Sequence, residues 1–214
     1  MKTLTRLFAA FFVFAALLQA GSAAAQEAPD ALIKRISQDV LDSAKTDRAV
    51  QAGNQKRIQQ LVEAKILPYV DFQKMTALTA GRHWREATPS QKQQLTTEFR
   101  ELLVHTYSGA IAQIKDQTLQ FRPLRANPAA TDVIVYSQVL QSRGREPIQL
   151  NYRLAKRSGQ WKVYDINVLG AWLVQTYKGT FETEIRKGGI DGLIRTLAEK
   201  NRTLATGPAK GIRK

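Results

Sequence analysis

The sequence predicts an α+β domain, and three observations carry that prediction. Apolar residues recur at helical spacing from Pro29 to Asp116, alternate at strand spacing from Thr118 to Val168, and return to helical spacing after Ala171. Helices and strands that are segregated along the chain pack as helices on an antiparallel sheet. The sheet expected is a twisted meander of four strands with one wet face. Strong curvature with a helix in the concavity makes a cone, and a cone of that kind leaves a pocket.

Each element has a local cause. Leu32, Ile33, Ile36, Val40 and Leu41 make one face of a helix that starts at Pro29, with Lys34, Arg35 and Asp42 opposite. A second helix is expected over about Asn54–Leu67, carrying Ile58, Leu61, Val62 and Ile66 and stopped by Pro68. Asp71 caps a shorter helix with Phe72, Met75 and Leu78, which stops near Gly81. In GRHWREATPSQKQQL, Thr88 is the N-cap, Pro89 takes the first helical position and Gln91 completes a capping box. The helix begun there is expected to run to about Lys115, because Leu95, Phe99, Leu102, Leu103, Tyr107, Ala110, Ile111 and Ile114 form one stripe. Strands are expected over Thr118–Arg125, Asp132–Gln141, Pro147–Lys156 and Trp161–Val168, separated by the turn-rich stretches NPAAT, SRGRE and RSGQ. In the third strand Ile148, Leu150, Tyr152 and Leu154 face one way while Gln149, Asn151 and Arg153 face the other. Two helices, Ala171–Arg186 and about Ile190–Arg202, close the domain.

The N-terminus reads as an export signal. Lys2 and Arg6 precede the apolar run LFAAFFVFAALL, and Ala23-Ala24-Ala25 offers a cleavage site before Gln26. The run is shorter than the roughly 20 residues that span a bilayer. Cleavage after residue 25 removes two positive charges and no acid, which takes the formal charge from +14 to +12. The expected layout is a signal peptide at 1–25, one domain at 26–204 and a disordered polar tail at 205–214. Within the domain, helices occupy about 29–115, the sheet about 118–168 and the closing helices about 171–202. There is no cysteine, so stability in an oxidising compartment rests on packing. The basic excess in an exported chain favours anionic headgroups or an acidic protein over nucleic acid.

Chemistry-bearing motifs are scarce. The two histidines, His83 and His105, lack metal spacing, and no G-x-S-x-G, G-x-G-x-x-G or phosphate loop is present. His105 lies beside the apolar stripe of the long helix, and His83 is flanked by Arg82 and Arg85. Asp165, inside the last strand, has two readings: a base within the cone, or a hydrogen-bonding group that holds a loop or strand. What remains is apolar surface, with Tyr164, Ile166 and Val168 along one strand and Leu173, Val174, Tyr177, Phe181 and Ile185 along one helix. By pattern alone such stripes are core or cavity wall.

The succession from Pro68 to Tyr107 and from Tyr152 to Lys200 resembles the MlaC family of periplasmic phospholipid-binding proteins. The matching landmarks are Trp84 with Ala87-Thr88-Pro89 and Gln91, the run Gly159 to Asp165, and the closing pattern of Gly189, Leu193, Ile194, Leu197 and Lys200. Trp172 departs from the family, whose members commonly carry small residues there, and so is expected to narrow or reshape the pocket mouth. The resemblance implies an NTF2-like cone with an N-terminal helical subdomain, and lipid tails held between sheet and helices. It implies no enzyme activity, no metal and no cofactor, with phospholipid as cargo. Its implied partners are an outer-membrane lipoprotein–porin complex and the MCE subunit of an inner-membrane ABC transporter, and its implied location is the periplasm. On that reading the cavity wall comprises Phe72, Met75, Leu103, Tyr107 and Ile111 from the helices before the sheet. From the strands it takes Ile134, Tyr136, Leu150, Tyr152, Tyr164, Ile166 and Val168, and from the closing helix Leu173 and Tyr177. Arg82, Arg85, Arg143, Arg145 and Lys178 are the candidates for contact with headgroup or membrane.

The energetics suit a carrier. A 16-carbon chain leaving water gains about 0.8 kcal/mol per methylene, on the order of 10 kcal/mol per chain, so a carrier must offer a matching apolar wall. Two rivals stay open on the sequence: an enzyme using Asp165 or His105, and a solid-cored adaptor that binds only proteins.

Overall fold

In the computed structural model, residues 27–206 are described, apart from 128 and 143. The signal peptide, Arg143 and most of the expected tail lie outside them. Helix α1 (Pro29–Thr46) starts with proline in its first turn, and α2 (Arg48–Gln51) is capped by the Asp47 carboxylate. Asn54 caps α3 (Gln55–Lys65), and a 3₁₀ turn at Leu67–Tyr69 ends that run at Pro68. Asp71 caps α4 (Phe72–Ala80) by accepting the Lys74 N–H at 2.9 Å. After the short α5 (His83–Glu86), the capping box forms as the sequence predicts. Thr88 Oγ1 accepts the Gln91 N–H at 3.2 Å and Gln91 Oε1 accepts the Thr88 N–H at 2.9 Å. Thr88→Ala is expected to lower stability by about 1 kcal/mol, read as a fall of roughly 2–4 °C in the thermal midpoint.

The helix so started, α6, spans Pro89–Tyr107, shorter than the stripe suggests. Ser108 and Gly109 follow, both weaker helix formers than alanine, and the chain tightens into a 3₁₀ segment at Ser108–Gln113. Ile111 therefore packs with Ala44, Val50, Ile58, Leu61 and Val62 in a helical annex.

The sheet is antiparallel, as expected, but among the described residues has six strands: β1 (Thr118–Phe121), β2 (Asp132–Val135), β3 (Ser137–Leu140), β4 (Ile148–Arg157), β5 (Gln160–Val168) and β6 (Ala171–Trp172). Strands β2 and β3 replace the single run expected over Asp132–Gln141. They part at Tyr136, where side chains take over the ladder: Asn151 Oδ1 accepts the Ser137 N–H and Ser137 Oγ bonds the Leu150 carbonyl. Both β2 and β3 pair with β4, and β3 also pairs with β1.

The closing helix α7 (Leu173–Thr206) is interrupted at Gly188 and Gly189, so the two predicted helices meet at a kink. Gly189 has φ 66°, a conformation that favours glycine. Three packed clusters result. Helices α4, α6 and α7 share one, where Phe99 meets Phe181 edge to face at 4.9 Å. Helix α1 and the strands share the second, and α1, α2, α3 and the 3₁₀ segment share the third.

Candidate apolar site on the inner face of the sheet

Strand register decides which residues share a face. Ile148, Leu150, Tyr152 and Leu154 alternate along β4, and each has cross-strand partners on the same side. Val139 stands opposite Ile148, Val168 opposite Leu150, Ile166 and Val135 opposite Tyr152, and Val163 and Val133 opposite Leu154. This is the inner face. Leu32 and Ile33 of α1 pack on its Leu154 end, while Ile166 and Val168 pack against the cluster of α4, α6 and α7.

The two ends of that face differ. Leu154, Val133, Val135 and Val163 are buried, but Ile148, Leu150, Val168, Val139 and Leu119 all keep accessible surface. Tyr152 sits between the ends. Its hydroxyl lies 3.4 Å from Ser37 Oγ of α1, and burial pushes its phenol above the usual range. On the helix side, Tyr107 of α6 and Tyr177 of α7 are also half-buried and interact through their hydroxyls, and burial raises the Tyr107 phenol. A partly uncovered apolar row thus faces helices, with few polar groups to direct a polar ligand. It suits alkyl chains.

The structure places the expected wall residues unevenly. Leu150, Tyr152, Ile166 and Val168 lie on the inner face, and Phe72, Met75, Leu103, Tyr107, Leu173 and Tyr177 belong to the helical cluster against it. Four residues fall elsewhere, the first being Ile111, which the early end of α6 carries into the helical annex. Ile134 pairs with Arg153 and Tyr136 follows it with 45% exposure, so both belong to the outer side. Tyr164 is displaced by a β-bulge: Leu154 pairs with Val163 but Arg153 with Asp165, leaving Tyr164 as the extra residue. Its hydroxyl donates to Asp132 Oδ1 at 2.8 Å, Lys74 Nζ lies 3.7 Å from its ring centroid, and burial pushes its phenol up to about 12. A bulge flips the alternation, which is why Tyr164 does not share a face with Ile166 and Val168. The main chain is pinned there, since Asp71 N–H donates to the Val163 carbonyl at 2.8 Å.

Trp172 is corrected in the same way. It pairs with Asn167, which pairs with Asn151 on the outer face, and the Arg153 guanidinium stacks 4.1 Å from its ring centroid. The ring therefore does not narrow the inner face. Asp165 also shares the Arg153 face, opposite Ile166, and holds the start of α7 by accepting the Val174 N–H at 3.0 Å. This placement fits a holding role and gives no support to a base in the cavity. His83 Nδ1 is 3.0 Å from Glu86 Oε2 on the short α5. Among the described residues no group of three or more metal-capable side chains occurs, and no helix is long and apolar enough to cross a membrane.

Sequence reasoning missed Leu119 and Val139 as members of the inner row, because only register aligns them with Leu150 and Val168, and it put Ile148 on the Leu150 face without naming it as wall. It also missed a cleft of about 350 Å³ between α4, α6 and the β4–β5 hairpin, where Arg100, Arg157 and Lys162 converge from three elements.

Fold and face together define a helix-covered α+β domain whose sheet presents an apolar inner wall. The chain belongs to the MlaC family, whose sequence model, described as MlaC protein, matches residues 34–199. It is 22% identical to the intermembrane phospholipid transport system binding protein MlaC of Haemophilus influenzae, over 88% of this chain and 89% of that protein. It is 20% identical to the toluene tolerance protein ttg2D of Pseudomonas putida, over 88% and 90% of the two chains. A solved structure of the phospholipid-binding protein from Ralstonia solanacearum, in complex with a phospholipid, is 42% identical to it. That structure superposes with a TM-score of 0.78 over 85% of this chain and 100% of its own.

Proposed function

We propose that this protein is a periplasmic carrier that moves glycerophospholipids between the outer and inner membranes without covalent chemistry. The half-buried apolar row from Leu119 to Val168, whose Ile166 and Val168 pack against the same helical cluster as Tyr107 and Tyr177, is the observation that carries the reading. Acyl chains laid along it exchange water for methylene contacts, while the headgroup stays at the surface. The Ralstonia relative, described with a phospholipid, supports the same cargo here, and the Haemophilus relative's transport name supports a shuttle. A donor complex in the outer membrane and an MCE-bearing ABC transporter in the inner membrane are the partners that follow. Wall residues are Leu150, Tyr152, Ile166, Val168, Tyr107 and Tyr177, with Phe72, Met75, Leu103 and Leu173 behind them.

Extraction of the protein, expressed through its own N-terminus and purified without detergent, tests this directly. Mass spectrometry of the extract is expected to return phospholipid at about one molecule or a fraction of one per chain. An extract free of phospholipid would remove the carrier reading.

A further inference from the structure

We infer that the cleft between α4, α6 and the β4–β5 hairpin is an anion subsite that takes the headgroup phosphate of a glycerophospholipid. The inference rests on the carrier reading and adds a specific polar contact to it. Three cations line the cleft, Arg100, Arg157 and Lys162, against one carboxylate, Asp71. That carboxylate is already engaged: it accepts Arg157 Nη1 at 2.8 Å and caps α4 through Lys74 N–H at 2.9 Å. Lys162 Nζ donates to the Pro68 carbonyl at 2.7 Å, which positions the ammonium without neutralising it. Arg100 has its carboxylate neighbour, Glu101, no closer than 3.9 Å. Two positive charges therefore remain over a concave surface of about 350 Å³.

The floor of the same cleft is apolar. Val70 and Phe72 line it, and both pack against the helical cluster, Val70 against the sheet cluster as well. Cations above an apolar floor match a phosphodiester joined to a glyceryl ester better than a fully hydrated phosphate ion. The site is also preorganised. Asp71 N–H bonds the Val163 carbonyl at 2.8 Å and Val70 bridges to Val163, so the cleft wall is fixed to β5 before any ligand arrives. Fixed cations beside apolar surface bind phosphate oxygens through charge-assisted hydrogen bonds with little reorganisation.

The test compares binding of monomeric dihexanoylphosphatidylglycerol and of inorganic phosphate to the wild type and to the double variant Arg100→Gln, Lys162→Gln. Arg48→Gln, Lys56→Gln has the same change in net charge on exposed positions away from the cleft and serves as control. Arg157 is left in place because its ion pair with Asp71 secures α4. The cleft variant is expected to bind the short-chain lipid at least about tenfold more weakly than the control variant. If it is destabilised in thermal unfolding, Arg100→Gln alone gives the same test with a smaller loss, since that side chain is 43% exposed. Equal lipid affinity in cleft and control variants would overturn the inference. So would phosphate binding lost in the cleft variant with lipid affinity unchanged, which marks a site for the free ion. Failure of the carrier reading looks different: the wild type itself then binds no short-chain lipid and yields none on extraction.

Discussion

Replacing Leu150 by aspartate is expected to empty the protein of lipid, while replacing Ile134 by aspartate leaves it loaded. The two positions lie on neighbouring strands, both are half-buried, and each gains one carboxylate. They differ in face. Leu150 stands beside Val168 on the inner row, whereas Ile134 pairs with Arg153 on the outer side. A carboxylate set among acyl methylenes must lose water without gaining a partner, at a cost of about 3 kcal/mol or more. That corresponds to a loss of bound lipid greater than about a hundredfold. At Ile134 the new carboxylate faces Arg153 and water, so carriage is expected to stay within about twofold of wild type. Lipid per protein after detergent-free purification, with circular dichroism confirming both folds, measures the contrast. Equal loss in the two variants would mean that lipid does not discriminate the faces and that the inner row is not its wall.

The helices show how much the sequence encodes locally. Asp71 and Thr88 each cap the helix they were expected to cap, and Asn54, where the second helix was expected to begin, caps it, because a cap is decided within four residues. The alternation of β4 was equally legible, since its ten residues form an unbroken strand. Ile134, Tyr136, Tyr164 and Trp172 were misplaced for the opposite reason. Their faces depend on partners far along the chain: Val133 and Val135 pair with the inner-face Leu154 and Tyr152 and so turn Ile134 outward, and the β5 bulge sits where Asp71 holds Val163. No period within a strand records either event. The cationic cleft was invisible for the same cause, as Arg100, Arg157 and Lys162 are brought together only by the packing of α6 beside the hairpin.

Asp165→Ala is expected to produce a large loss of stability among single substitutions on the sheet. Asp165 is completely buried, and its Oδ1 accepts the Ile166 N–H at 2.9 Å and the Val174 N–H at 3.0 Å. Oδ2 accepts Arg153 Nη1 at 3.2 Å, and the same guanidinium covers Trp172. Val174 lies in the first turn of α7, whose leading N–H groups have no partner within the helix, so this carboxylate ties the helix to the sheet. Alanine strands two backbone donors and opens a void. Arg153 is 37% exposed and can turn to water, so about 3 kcal/mol is expected rather than the full penalty for breaking a buried pair. For a chain of this size that is a drop of roughly 6–12 °C in thermal midpoint.

The pH dependence has a defined sign. Burial pushes the Asp165 carboxyl above its ordinary value of 3.8, against the lowering effect of the Val174 N–H and Arg153. The folded state therefore holds its proton to higher pH than the unfolded chain does. The associated stability is complete below the unfolded value and is lost as pH rises through the folded one. The gap in thermal midpoint between wild type and Asp165→Ala should accordingly widen as pH falls toward about 4. A gap under 2 °C at neutral pH would show that α7 is anchored by its packing alone, and one that narrows on acidification would show that the ionised carboxylate, held by Arg153 and the Val174 N–H, is the stabilising form. Because Leu173 and Tyr177 ride on that first stretch of α7, loosening it should also speed lipid release to acceptor vesicles, and a release rate equal to wild type would separate anchoring from retention.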